Sequence, residues 1–193
     1  MRLSRRSVRW RVASRANPQS IALQKRLHPR LAQWFRRSYG NFTEAQLLCV
    51  PAILEHQSIL LTSPTGSGKT FAGFLGVFDS LLRKLDAREL HAGVQCIYVS
   101  PLRALAYDIE KNLNGPIAGM GLEKELRVHS RTGDTTAAQR ASFKRRGAHV
   151  LVTTPESLAV MLAQEAYRLQ LRTTKFVSLM SCIRSPATSE ALI

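Results

Sequence analysis

The stretch Ser58-Ile-Leu-Leu-Thr-Ser-Pro-Thr-Gly-Ser-Gly-Lys-Thr70 decides how the rest of the chain is read. It runs from a short apolar, β-prone segment (Ile59–Thr62) through Ser63-Pro64-Thr65-Gly66-Ser67-Gly68 into Lys69-Thr70 and a long amphipathic segment. A strand, a glycine-rich turn and a helix in that order form a phosphate cradle. Glycines at 66 and 68 let successive N–H groups converge on phosphate oxygens, and the following helix N-terminus adds partial positive charge. Lys69 is expected to reach the terminal phosphates and the Thr70 hydroxyl to hold Mg²⁺, with Thr65, Gly66, Ser67 and Gly68 lining the cradle. Ser63 departs from the strict pattern, which opens on Gly.

Outward from this motif, short apolar runs alternate with longer amphipathic ones, the pattern of βαβ units around a parallel sheet. Strands are expected at Ile59–Thr62, Cys96–Ser100, Leu126–Ser130, His149–Thr153 and Phe176–Leu179. Helices are expected at Leu47–Leu54, Lys69–Leu85, Ala104–Leu113, Thr136–Arg145 and Glu156–Ala163. Ligands of an open parallel sheet bind at the carboxyl ends of the strands, so the loops that follow the strands should share one rim.

Bulk composition sets bounds without naming a function. The chain has 193 residues, 45% hydrophobic, which suits one domain with a sizeable core. Its formal charge of +15 is concentrated: residues 1–43 hold 11 Lys or Arg and no acid, and the other 150 carry 17 bases against 13 acids. The global charge is therefore a poor guide to partners. The basic N-terminal stretch reads as a nucleic-acid arm, a transit peptide or a disordered leader. Three scattered cysteines, with no metal-ligand spacing, suit a reducing, cytoplasmic setting. No apolar run approaches the roughly 20 residues of a membrane span.

Four further segments carry a resemblance. Trp34-Phe-Arg-Arg-Ser-Tyr-Gly-Asn-Phe-Thr-Glu-Ala-Gln46 is similar to the Q-motif, in which an aromatic packs on adenine and a Gln reads its edge; Thr43 and Gln46 match. Ser100-Pro-Leu-Arg-Ala-Leu-Ala-Tyr-Asp108 resembles motif Ia, a turn that grips a nucleic-acid backbone. Arg131-Thr-Gly-Asp-Thr135 resembles a glycine turn, and Thr153-Thr-Pro-Glu-Ser-Leu158 resembles motif Ib. Together, residues 30–176 resemble the first RecA-like domain of a superfamily-two DEAD/DEAH (DExH)-box helicase, nearest the Lhr, or large helicase-related, subgroup.

The resemblance implies an α/β P-loop NTPase domain, a parallel sheet flanked by helices and incomplete at its C-terminal end. It implies ATP and Mg²⁺ as cofactors and a DNA or RNA strand held through backbone contacts, with no membrane and no defined protein partner. Thr43 and Gln46 would join the nucleotide residues. Ser100, Pro101, Arg103, Gly133, Thr154 and Pro155 would meet the strand, the Thr154 hydroxyl and its helix N-terminus facing a phosphate.

The likeness stops where the family's DExH box should follow the last strand. The chain reads Phe176-Val-Ser-Leu-Met-Ser-Cys-Ile-Arg-Ser-Pro-Ala-Thr-Ser-Glu-Ala-Leu-Ile193, with no acid between Glu165 and Glu190. The genetic code offers an origin. Met180 is ATG, and its final G followed by the AG of an AGT or AGC codon for Ser181 reads GAG, glutamate; a shifted frame permits Asp-Glu-Leu-His. The expected organisation is a basic, disordered leader (1–27), a truncated helicase domain (28–177) and an out-of-frame tail (178–193), able to bind ATP and unable to hydrolyse it alone. Marginal stability and aggregation should follow from an uncovered sheet edge. Two other readings stand beside this one: a non-catalytic basic nucleic-acid-binding module, and an unrelated small P-loop NTPase using Asp134 or Glu156 as its acid.

Overall fold

The computed structural model describes residues 17–62 and 68–179. Twelve elements follow in order: α1 (Pro18–Arg26), α2 (Pro29–Ser38), α3 (Glu44–Leu54), α4 (Lys69–Asp86), β1 (Cys96–Val99), α5 (Arg103–Gly119), β2 (Val128–Arg131), α6 (Ala137–Arg146), β3 (Val150–Thr153), α7 (Pro155–Leu162), α8 (Glu165–Leu171) and β4 (Phe176–Leu179). The strands form one four-stranded sheet in the order β2-β3-β1-β4, every pairing parallel.

Period-two alternation sorts the strand residues into two cores. Cys96 and Tyr98 of β1, with Val150 and Val152 of β3, point into a cluster that takes Phe74, Leu75, Phe78, Leu81 and Leu82 from α4 and Ile109 and Leu113 from α5. Ile97, Val99 and Leu151 point the other way, onto Phe143 of α6, Met161 of α7 and Tyr167 and Leu171 of α8. Buried on both faces, β1 and β3 read as continuous apolar runs, as central parallel strands should.

Local signals set the helix starts. Asn17 caps α1 and His28 caps α2, each followed by Pro at the first helical position. Thr43 with Gln46, and Thr136 with Gln139, form reciprocal capping boxes on α3 and α6. One buried charge ties the layers together. The Asp79 carboxylate in α4 accepts the His28 backbone N–H at 2.5 Å and Arg83 Nε at 2.6 Å, which supplies the partners a buried carboxylate requires.

The structure alters several expectations. Helices α1, α2 and α8 were not anticipated. Leu23 and Leu27 are buried in the first core, so the chain is committed to the fold from residue 17, inside the stretch expected to be leader. Residues 59–62 form no strand. They gain no ladder from β4, the edge of the sheet, and Leu60 is 92% exposed. The apolar run alone could not make a strand, because a strand needs a neighbour in register. The tail 180–193 lies outside the described residues, although Ser178 and Leu179, expected to begin it, complete β4.

Candidate nucleotide and strand site

Gly68 stands at φ +80°, capping the N-terminus of α4. A Cβ there would lie 2.8 Å from Gln46 Nε2 and 3.2 Å from Thr43 Oγ1. The two segments that the Q-motif and the phosphate cradle pick out, separated by some twenty positions in sequence, therefore meet at one point. Only glycine admits both the left-handed backbone and the close approach. Gln46 is 5% exposed and fixed within α3: its N–H donates to Thr43 Oγ1 at 3.3 Å, and its Oε1 accepts the Thr43 N–H at 3.0 Å. The amide nitrogen is left facing Gly68.

Lys69 and Thr70 begin α4, half-buried, and no side-chain hydrogen bond caps that helix among the described residues. Its first-turn N–H groups thus present a partial positive charge. Ser63, Thr65, Gly66 and Ser67, expected in the cradle, lie outside the described residues. The upstream aromatics separate into two kinds. Phe35 and Phe42 stack on each other at 4.1 Å and are buried, while Tyr39 is 60% exposed with its ring 5.6 Å from that of Phe71, next to Thr70. Exposure singles out Tyr39 where sequence offered several rings.

The second cluster occupies the rim at the carboxyl ends of β1, β2 and β3. Ser100 is fully buried and shapes the turn, its hydroxyl donating to Leu102 O at 3.2 Å; Pro101 is exposed. Arg103, first residue of α5, donates from Nη1 to Asp134 Oδ1 at 2.9 Å, with side chains 60% and 57% exposed. A Cβ on Gly133 would lie 3.0 Å from Arg103 Nη2, so this glycine lets the guanidinium rest on the turn. The turn itself is pinned by Thr132 N donating to Thr135 Oγ1 at 2.8 Å and by a Tyr107–Thr132 hydroxyl contact of 3.2 Å.

One rim residue is placed differently from expectation. Thr154 is only 2% exposed, and its hydroxyl caps α7, accepting from Ser157 N at 3.4 Å and lying 3.1 Å from Ser157 Oγ. A hydroxyl so enclosed shapes the turn, leaving exposed Pro155 and the backbone as the surface. Glu156 is held below the usual carboxylate range, first by its own backbone N–H at the start of α7, then by the Thr154 hydroxyl and the attraction of Arg103.

Of the candidate acids of an alternative NTPase, Asp134 pairs with Arg103, and Glu156 feels a smaller attraction from the same guanidinium. Among the described residues no group of three His, Cys, Asp or Glu could hold a metal, and no helix is long and apolar enough to cross a membrane. Burial disfavours the reactive thiolate of both described cysteines, pushing Cys96 up to about 12 and Cys49 above its ordinary value.

A parallel sheet between two helical layers, with a glycine-led helix N-terminus against a buried Gln, defines a RecA-like domain. The chain belongs to the DEAD/DEAH box helicase family, whose model matches residues 43–179. It is 43% identical over 158 residues to the ATP-dependent helicase Lhr-Core of Methanothermobacter thermautotrophicus, covering 78% of this chain and 18% of that protein. It is 36% identical over 167 residues to the Lhr helicase/uracil glycosylase of Escherichia coli, covering 80% and 11%. Among solved structures, the Mycobacterium smegmatis helicase Lhr bound to ssDNA and AMP-PNP superposes with a TM-score of 0.71 at 38% identity, covering 80% of this chain and 20% of that one. The DUF1998 helicase MrfA, at 23% identity and TM-score 0.65, shares the fold. The chain thus spans about a fifth or less of these relatives.

Proposed function

We propose that this chain binds ATP between α3 and the N-terminus of α4 and holds a single nucleic-acid strand along the rim, as part of the motor of an Lhr-like helicase. The observation that supports the reading is Gly68, at the N-terminus of α4, set against the buried Gln46 amide. The Gln46 Nε2 amide suits the edge of adenine, and Tyr39 offers an exposed ring near Phe71 for the base. Lys69 meets the terminal phosphates, with Thr65, Gly66, Ser67 and Gly68 supplying backbone N–H groups. A bound Mg²⁺ would neutralise phosphate charge, with the Thr70 hydroxyl as its ligand.

Turnover is a separate matter. In this family a pair of acids after the strand that follows the rim loops holds the metal and orients water. Here β4 runs into Met180-Ser181-Cys182, and Asp134 at the rim is paired with Arg103. The chain by itself therefore binds ATP and hydrolyses it slowly or not at all. A reducing cytoplasmic setting suits its buried free thiols.

Lys69→Ala tests the nucleotide site. Titrating a fluorescent ATP analogue with Mg²⁺ against wild type and variant should show at least about a tenfold loss of affinity, the scale of one charge-assisted phosphate contact. Equal affinity in the variant would remove the cradle from the proposal, and rapid phosphate release by the wild type would overturn the statement on turnover.

A further inference from the structure

The guanidinium assigned to a strand phosphate is already in the grip of a carboxylate. Arg103 Nη1 lies 2.9 Å from Asp134 Oδ1, both side chains more than half exposed at the rim. Gly133 presses against the same guanidinium, at a spacing that leaves no room for a Cβ without moving it. A second acid, Glu156 at the start of α7, is lowered mainly by its own backbone N–H and the Thr154 hydroxyl, with a smaller attraction from Arg103. The pocket of charge that should take an anion thus carries one cation and two acids.

Resting on the strand reading above, we propose that Asp134 is a latch on the strand site. Its carboxylate occupies Arg103 as a stand-in for phosphate, and a nucleic-acid backbone binds by displacing it. The chemistry favours a particular winner. Asp134 is recorded on a single nitrogen of the fork, whereas a phosphate can engage two parallel N–H groups. Because the ion pair is exposed, its cost is small enough for a phosphate to overcome. The loop that bears Asp134 stays pinned through Thr132 and Thr135 while the side chain swings.

A double-mutant cycle tests this, using fluorescence anisotropy of a labelled oligo-dT strand on the 193-residue chain at low salt. Asp134→Asn should tighten binding about two- to fivefold, the range expected from releasing one exposed ion pair. Arg103→Ala should weaken it, and Asp134→Asn added to Arg103→Ala should change almost nothing. An equal gain in both backgrounds would mean that Asp134 acts as general negative charge, and weaker binding by Asp134→Asn would mean that it positions Arg103 for the strand; either overturns the latch while leaving the strand site standing. No saturable binding by wild type or Asp134→Asn would sink both proposals. Circular dichroism melts of each variant show whether lost binding reflects lost folding.

Discussion

The Gly68–Gln46 contact and the Arg103–Asp134 contact are both places where two motifs meet, yet they hold by different physics. At the first, a buried amide is fixed by a capping box, and the glycine opposite sits in a backbone conformation that other residues resist. The constraint is steric and short-ranged. At the second, two exposed charges face one another across a turn, free to exchange partners with solvent ions or ligand. The constraint is electrostatic and screened by salt. A nucleotide of fixed shape calls for the first kind of site, and a strand that must be gripped and released calls for the second.

The sharpest way to break the contrast is to add one methyl group to each site. Gly68→Ala meets Gln46 Nε2 at 2.8 Å and strains φ +80°, so affinity for the ATP analogue should fall at least about tenfold, the equivalent of roughly 1.4 kcal/mol. Gly133→Ala meets only the far end of a flexible Arg103 at 3.0 Å with no left-handed backbone, and should change oligo-dT affinity by no more than about threefold. Similar losses at both sites, measured by titration, would erase the distinction.

Stability should separate the two regions as well. Thr43→Ala removes the side-chain acceptor from the α3 capping box and should cost about 1 kcal/mol in denaturant unfolding. Arg103→Ala, at an exposed pair, should stay within about 0.5 kcal/mol of wild type. A larger loss at Arg103 would show that the rim pair is structural and would count against its exchange with phosphate.

A pH-dependent effect concerns the end of β3 away from the rim. His149 is buried, and its Nδ1 accepts the Arg127 N–H at 3.2 Å; burial, then the charge of Arg127, lower it to about 4. A depressed histidine is stabilising while neutral, fully so above its unfolded value near 6.5, and that contribution is lost as pH falls toward the folded value. Melting temperature should decline from pH 6.5 to 4, less steeply in His149→Gln. An unchanged slope in the variant would assign the acid sensitivity elsewhere, for example to Glu156.

Much of this was legible because local rules wrote it. The strands Cys96–Val99, Val150–Thr153 and Phe176–Leu179 were visible as apolar β-prone runs, and α4 and α7 began where Gly68-Lys69 and Thr154-Pro155 signalled. The three unanticipated helices are instructive. Basic residues masked α1 and α2, although Asn17-Pro18 and His28-Pro29 are cap-and-proline starts. In α8, Tyr167 and Leu171 repeat at a helical spacing, but seven residues give a weak periodic signal. Thr154 follows β3, and its hydroxyl turned inward because an uncapped α7 would have left a buried N–H unsatisfied.

Sequence by itself determined the family and the parallel α/β plan, and it set a glycine-rich Lys-Thr segment downstream of a Gln, since these rest on residue types at short spacings. Tertiary structure decided what spacing cannot encode. It denied Ile59–Thr62 a strand for want of a neighbour. It left Tyr39 exposed while burying Phe35 and Phe42. It set Asp134 on Arg103 across 31 positions of chain. Hydrogen-bond ladders, burial and long-range charge pairs all require a second segment to be present, and only the folded chain supplies it.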